Sequence, residues 1–445
     1  EELAKSPSLD EKEKASLDDF LSTVYYQSMD PADAFTYSRL NERLKALSPQ
    51  YENDGNYLFY LATPPLLYGV IPRHLKAEGL NRDGDGFRRI VVEKPFGYDL
   101  SSALELNRIY LDAFREEQIY RIDHFLGKET VQNILALRFA NSVFEPLWNR
   151  NYIDYVEITA VENMGIGTRG GFYDGVGTLR DMVQNHLAQL LAVTAMEPPA
   201  AFDASGFRNE VVKVYQSLTP LTGEDIRHSV VRGQYMASEG RKGYREEEQV
   251  PTLSRTETYL AMRLELNNWR WGGVPFYIRT GKQMPTKVSE IVIHFKPAPY
   301  SLFRCEGGTC PVPNRLVIRI QPNEGIVLRL GMKKPGEGFE VLPMDMDFSY
   351  AELGRLPTED AYARLIEDCI AGDPTLFIRS DAVESGWRFF DPILKYWQDV
   401  PECPLYGYPA GSWGPLEADS LMARHGASWT NPCKNLTNTH LYCEL

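Results

Sequence analysis

Residues 90–97 read Ile90-Val91-Val92-Glu93-Lys94-Pro95-Phe96-Gly97, and this run decides the fold of the first third of the chain. Three consecutive β-branched apolar residues without polar alternation suit a strand buried on both faces, as in a parallel sheet. The charged pair and Pro95 end it. A second run, Tyr57-Leu58-Phe59-Tyr60-Leu61-Ala62, stops in the same way at Pro64-Pro65. Helix-compatible sequence lies between them. Upstream, Asp30-Pro31 is a helix start followed by the apolar stripe Phe35, Leu40, Leu44 and Leu47. Downstream, Ser102 and Glu105 form a capping-box pattern, with Ala103, Leu106, Tyr110 and Ala113 on one helix face. This portion is therefore α/β. No G-x-G-x-x-G or related run follows a strand before residue 90, so a nucleotide-binding fold here is entered late, after its phosphate loop.

The texture changes after about residue 150. Val156 and Ile158 alternate with polar neighbours, and residues 259–264 alternate likewise. Further strand-like runs lie near 274–280, 290–296, 315–320 and 326–330, joined by turns such as Trp271-Gly272-Gly273. Period-two alternation with short connections predicts a large antiparallel sheet. Helical stretches near 129–140, 179–195 and 359–371 cover one of its faces. The fold class is α/β plus α+β: an incomplete Rossmann-type N-terminal domain, then a large, mainly antiparallel sheet covered by helices.

A length of 445 residues allows two or three domains at roughly 150 residues each, and a chain this long buries a sizeable core without disulfide or metal staples. With 47 Lys and Arg against 61 Asp and Glu, the formal charge is −14. That balance disfavours nucleic-acid and anionic-membrane partners, and any anion must be held by a local cationic cluster. No apolar run of 18 residues is present, so no membrane span is expected. Glu1-Glu2-Leu3-Ala4-Lys5 is not a signal peptide. None of the six cysteines forms a C-x-x-C pair; Cys305 and Cys310 are read as reduced loop thiols of a cytosolic chain rather than a local disulfide, and no metal site is expected. Asn435-Leu436-Thr437 matches a glycosylation sequon by chance.

The densest polar cluster is Arg121-Ile122-Asp123-His124-Phe125-Leu126-Gly127-Lys128. His124 and Lys128 can donate to an anion, helped by the N–H groups of a helix starting near Glu129; a solvated linker has the same composition. Lys94 follows a buried strand, where open α/β sheets receive ligands, although a surface lysine ends many strands. His186 falls on the apolar helical face of Leu179, Met182, Val183, Leu187 and Leu190. It is either a satisfied core imidazole or a general base oriented by a carboxylate. Asp181, five residues earlier, falls on a different side of an α-helix, which leaves Asp123 as a distant candidate. Arg279, Lys282 and Lys287 leave one strand end toward an anion or toward solvent. Arg319 and Gln321 are expected to share a strand face and reach a ligand.

Together these segments resemble glucose-6-phosphate dehydrogenases. Residues 121–128 look like the family's R-I-D-H-[YF]-L-G-K signature, residues 93–97 its E-K-P-F-G, residues 180–187 its R-D-x-x-Q-N-H-L and residues 279–282 its R-x-G-K. The similarity runs from about Tyr57 to Asp419. It implies a remainder of an NADP-binding Rossmann-type domain over 1–122 and a substrate-binding and oligomerisation domain over 123–445. The implied reaction is oxidation of D-glucose 6-phosphate at C1 to 6-phospho-D-glucono-1,5-lactone, with hydride passed to NADP⁺, as the first step of the oxidative pentose phosphate pathway. His186 is implied as general base, oriented by Asp123. Lys94, His124, Phe125, Lys128, Glu162, Asp181, Lys282, Lys287 and Gln321 are implied for the substrate, and Tyr68, Pro64, Pro65 and Lys94 for the cofactor. A cytoplasmic homodimer or homotetramer is expected.

The chain departs from the family pattern in places. The G-x-x-G-D-L-A loop and the arginine that reads the NADP 2′-phosphate are absent, which implies a strand–loop–helix–strand portion ahead of Glu1. Phe125 stands where tyrosine is commoner, and Lys287 where arginine is usual, removing a bidentate fork. Val161, Val288, Val292 and Trp413 occupy positions that are cationic in members with a second, structural NADP, so that cofactor is expected to be absent or weak. The alternatives are a cofactor-deficient sugar-phosphate-binding or scaffold homologue, and a hexose-phosphate oxidoreductase of the endoplasmic reticulum, which would carry an appended lactonase.

Overall fold

The computed structural model describes residues 11–51, 53, 55–84, 86–300, 302–305, 313–336, 338–350 and 360–432. It divides into two compact units, one of residues 1–57 and 63–88, the other of residues 58–62 and 89–445.

In the first unit three helices, Glu11–Ser22, Ala34–Tyr51 and Ile71–Ala77, carry most of the structure. The helix expected after Asp30-Pro31 begins at Ala34, with the Asp33 carboxylate accepting from the Phe35 N–H at 3.0 Å. Its buried contact is made by Tyr37, whose ring meets that of His74 with centroids 5.0 Å apart, while Phe35 is exposed.

The second unit holds both sheets. The small one has three strands in the order β1 (Tyr57–Leu61), β2 (Arg88–Val92), β3 (Ile119–Arg121), with the outermost residues Tyr57 and Arg88 assigned to the first unit. β2 and β3 run parallel, Val92 opposite Arg121. Ile90, Val91 and Val92 are fully buried, as their lack of alternation requires. The following helix, Leu100–Ala113, starts one turn earlier than the Ser102 pattern suggests. Asp99 is its cap, accepting from Ser102 N–H at 2.7 Å while Ser102 Oγ accepts from Asp99 N–H at 3.1 Å. Gly97, at φ +82°, crosses this helix so closely that a Cβ would lie 2.7 Å from backbone atoms of Ala103.

The large sheet has ten strands among the described residues. In chain order they are β4 (Ile153–Val161), β5 (Val230–Met236), β6 (Tyr259–Glu265), β7 (Pro275–Gly281), β8 (Val288–Phe295), β9 (Arg304–Cys305), β10 (Arg315–Gln321), β11 (Gly325–Lys333), β12 (Glu340–Ser349) and β13 (Tyr406–Pro409). Their spatial order is β13-β5-β6-β7-β4-β8-β10-β11-β12-β9. The sheet is mainly antiparallel, with parallel pairs at β4–β7, β5–β13 and β9–β12. On central β4 the alternation does not mark a solvated face. Glu157 is buried and satisfied by His294 Nε2 at 2.6 Å and by the Thr430 N–H and hydroxyl, each at 2.8 Å.

Helix Ser380–Asp399 packs on helices Leu100–Ala113 and Ala204–Gln216. Gly386 and Pro392 obscure it in the sequence. Its buried Trp387 donates its indole N–H to Phe96 O at 3.0 Å, which pins the turn after β2. Cys369 and Cys403 are free and buried. The expected loop thiol Cys310 and the 435–437 sequon lie outside the described residues. No helix among the described residues is long and apolar enough to cross a membrane.

A methyl group at residue 97 meets both an unfavourable φ and the backbone of Ala103. Gly97→Ala is therefore expected to cost about 1–3 kcal/mol and to lower the melting temperature, read by circular dichroism. An unchanged melting temperature would show that the turn relaxes freely.

Candidate active site

Two neighbouring parallel strands set the first wall. Lys94 lies two residues beyond the end of β2 and Asp123 two beyond the end of β3, so the sheet register brings both to the carboxyl edge of one strand pair. Arg121 serves structure, pairing with Glu116 at 2.7 Å and donating to Ile378 O at 3.3 Å.

The second wall is a π-helix, Leu179–Leu187, running into the α-helix Ala188–Ala195. The sequence predicts one continuous α-helix here, on which five residues at about 100° each would turn Asp181 well away from His186. Bonding i to i+5 instead stacks residue 186 over residue 181. Both then reach one cation. Lys94 Nζ stands 2.7 Å from His186 Nε2, 3.2 Å from Asp181 O and 3.6 Å from its carboxylate. Asp181 is still not the orienting group. His186 Nδ1 bonds Asp123 Oδ1 at 2.6 Å, and both residues are 2 % exposed or less. With Nδ1–H donating to the carboxylate, Nε2 is left as an acceptor facing the cleft.

The cavity between these walls and the large sheet has a volume of about 500 Å³. It brings together Lys94, His124, Phe125, Lys128, Glu162, Asp181, His186, Lys282, Lys287 and Gln321. Glu162, just past β4, pairs with Lys282, just past β7, and Lys282 also reaches Asp181 at 3.4 Å. Lys128, at the N-cap of helix Glu129–Phe139, donates to Gln321 Oε1 at 3.0 Å, and Gln321 Nε2 donates to Ser289 Oγ at 3.1 Å. Phe125 supports the pair from behind. Its ring stacks on His186 with centroids 4.5 Å apart, and its N–H donates to Asp123 Oδ1 at 3.0 Å.

Burial by itself would raise the Asp123 carboxyl. His186, the bond between them and the Phe125 N–H outweigh it, and the pKa is lowered. Asp181 behaves alike: burial opposes ionisation, and Lys94 and Lys282 overcome it. Burial lowers Lys128, offset by Glu324 and reinforced by repulsion from Lys287. A lysine held down by burial and by a neighbouring cation marks where an anion is wanted. His124 is brought down to about 4, by burial first and then by His186, so it is neutral at pH 7 and offers a ring N–H rather than a charge.

Two expected contributors are elsewhere. Arg279 does not leave with Lys282. Its guanidinium is fully buried between Trp413 and Trp429, donating to Thr430 O at 2.9 Å and Asn431 Oδ1 at 2.8 Å. Arg319 does not share a face with Gln321, because the strand register shifts between them. It turns to pair with Asp347 on β12. Conversely, Arg169 and Arg180 line the cavity, and sequence reading missed both. Arg180 was legible inside the matched 180–187 segment; Arg169 carried no signal beyond its glycine-rich surroundings. Val161, Val288 and Val292 are buried on β4 and β8, and the ring of Trp413 covers Arg279. In the first unit, Pro64 and Pro65 are exposed where a 3₁₀ turn, Pro65–Leu67, begins, and Tyr68 is buried.

A carboxylate–histidine pair at a parallel-strand edge, beside a cationic pocket on an adjoining sheet, suits an enzyme that takes a proton from an anionic substrate. The family model for the glucose-6-phosphate dehydrogenase NAD-binding domain matches residues 1–133, and that for the C-terminal domain matches residues 135–430. The chain is 53% identical over 420 residues to a glucose-6-phosphate 1-dehydrogenase of Aggregatibacter actinomycetemcomitans, covering 94% of this chain and 84% of that one. It is 48% identical to the one of Treponema pallidum, covering 97% and 84%. A solved glucose-6-phosphate dehydrogenase in complex with its substrate glucose 6-phosphate superposes with a TM-score of 0.88 at 34% identity, covering 96% of this chain and 87% of that one. The chain belongs to the glucose-6-phosphate dehydrogenase family.

His124 generates a prediction. In ¹³C-labelled protein without ligand its ring is expected to titrate near 4 by NMR, against an ordinary value of about 6.5. The folded chain then binds fewer protons than the unfolded chain between those values. This residue therefore removes stability as pH falls from about 6.5 to 4. Titration of His124 near 6.5 would contradict the buried, neutral assignment.

Proposed function

We propose that the chain oxidises D-glucose 6-phosphate at C1 to 6-phospho-D-glucono-1,5-lactone with hydride transfer to NADP⁺, the first step of the oxidative pentose phosphate pathway. The observation that carries this reading is His186 Nε2 facing a cleft of sugar-phosphate size while its Nδ1 is held by Asp123. His186 takes the C1 hydroxyl proton through Nε2, and Asp123, which stays ionised, stabilises the resulting imidazolium. The substrate hydroxyl displaces Lys94 from Nε2, and Lys94 keeps its contacts to Asp181 and turns to the hydroxyl oxygen. Glu162, Asp181, Lys282 and Gln321 hold the sugar. Lys128, Lys287 and the neutral His124 hold the 6-phosphate, with Phe125 bracing the base. Lys287 acts as a point charge in place of a fork.

Each unit carries residues that the resemblance implies for the cofactor. On the second unit, Lys94 stands past the carboxyl end of a parallel strand. On the first, Pro64 and Pro65 form an exposed apolar edge beside Tyr68. When bound, NADP⁺ supplies the hydride acceptor, and the chain's task is to orient C1 and remove the proton. We assign residues 1–122 to the remainder of the NADP-binding domain and 123–445 to substrate binding and oligomerisation. A homodimer or homotetramer in the cytosol follows from the same reading. Met332, Met344 and Met346 on β11 and β12 are 53%, 50% and 64% exposed, an apolar surface that a second copy would cover.

Nicotinamide reduction followed by absorbance tests the assignment. His186→Asn is expected to lower kcat by about 10³-fold or more with KM changed only slightly. Lys128→Gln is expected to raise KM for glucose 6-phosphate at least about tenfold, as one charge-assisted phosphate contact is lost. No reduction with NADP⁺ or NAD⁺ by a protein with an intact phosphate loop would favour the cofactor-deficient homologue. Light scattering after size exclusion is expected to give twice or four times the chain mass. A single-chain mass would remove the oligomer.

A further inference from the structure

The dyad depends on where the π-helix begins, and one buried acid outside the cavity sets that point. Helix Gly170–Thr178 breaks at Gly177, which has φ +73° and ψ 168°. The next two N–H groups therefore cannot bond the preceding turn and need other acceptors. Both go to Glu257. Thr178 donates its N–H at 3.2 Å and its hydroxyl at 3.0 Å to Glu257 O, and Leu179 N–H donates to Glu257 Oε1 at 3.0 Å. The acid lies so close that a Cβ at residue 177 would meet its two oxygens at 2.6 and 2.9 Å. Only glycine admits it.

Glu257 also immediately precedes Thr258, whose carbonyl accepts the Lys282 N–H at 2.9 Å. One dipeptide just ahead of β6 therefore ties together the π-helix that carries Asp181 and His186 and the strand end that carries Lys282. Those walls meet again at the 3.4 Å pair between Lys282 and Asp181.

We propose that Glu257 is a positioning residue for proton abstraction: by capping Leu179 it fixes the start, and so the rotation, of the π-helix that aims His186 at C1. Glu257 does not itself line the substrate pocket, and its role rests on the assignment of His186 as base. The groups facing it are Arg180 from the π-helix, Arg232 from β5, and Tyr173 and Tyr244 from the elements packed beside it. Burial raises its carboxyl despite those arginines. What Leu179 needs is therefore an acceptor oxygen rather than a charge, and an amide supplies one.

The test compares Glu257→Ala, Glu257→Asp and Glu257→Gln in the full chain by steady-state kinetics, melting temperature and hydrogen exchange read by mass spectrometry. The Ala variant is expected to lower kcat at least tenfold. KM for glucose 6-phosphate should change less than kcat, because Lys128, Lys287 and Gln321 sit on other elements and, of the charged lining residues besides His186, only Asp181 and Arg180 move with the π-helix. The Asp variant, one methylene too short to reach Leu179, should behave alike, and it serves if Ala does not fold. The Gln variant should recover kcat to within threefold. Amides of residues 179–187 should exchange at least tenfold faster in Ala or Asp and at the parent rate in Gln. This second readout does not depend on catalysis, so a parent protein without dehydrogenase activity would remove the assignment of His186 while leaving the capping role open to measurement. A folded Ala or Asp variant with parent kcat, a Gln variant no better than Ala, or unchanged exchange over 179–187 would overturn the proposal.

Discussion

The site is organised by the hydrogen bond between Asp123 and His186. A carboxylate this deeply buried is costly unless opposite charge or donors compensate it. The imidazole N–H and the Phe125 N–H do so. The bond joins the loop after a parallel strand to a helix that packs against the large sheet. Whatever fixes either end therefore fixes the imidazole: Phe125 stacked behind it, and Glu257 holding the first N–H of the π-helix.

The π-helix is the second constraint. A wide helical turn packs less well than an α-turn and is rare except at functional sites. Here its return is geometric. Asp181 and His186 lie on one line and share Lys94, so a cation and a base present themselves to the same point in the cleft. An α-helical turn with this sequence would deliver either the acid or the base to the cavity, not both.

The charge distribution has a similar logic. A chain of formal charge −14 repels anions at long range, so an anion has to be recognised at short range by local cations. Burial and the neighbouring Lys287 both lower Lys128, and an anion beside it would relieve that penalty. Lys282 differs, being spent on Glu162 and Asp181, which suits it to align hydroxyls rather than to hold charge. Neutral His124 adds a directed donor without adding to the repulsion.

Much of this was legible in the residues. The unalternating run Ile90–Val92 marked a parallel strand because burial on two faces excludes polar side chains. The alternation of β6 to β8 and β10 marked the large sheet, and the 121–128 and 180–187 segments carried the dyad. What a single sequence determines is local: which residues can be buried, where a strand must end, and which side chains are chemically able to move a proton. The tertiary structure decided the rest, because a residue's direction depends on partners far away in the chain. Arg279 turned into an aromatic slot built from residues 413 and 429, and Arg319 turned to Asp347 after a register shift. The helix bearing His186 changed its period because Gly177 and Glu257, 80 residues apart, meet at its start. No periodicity within residues 179–187 records that meeting, and it is what brings Asp181 to the side of His186.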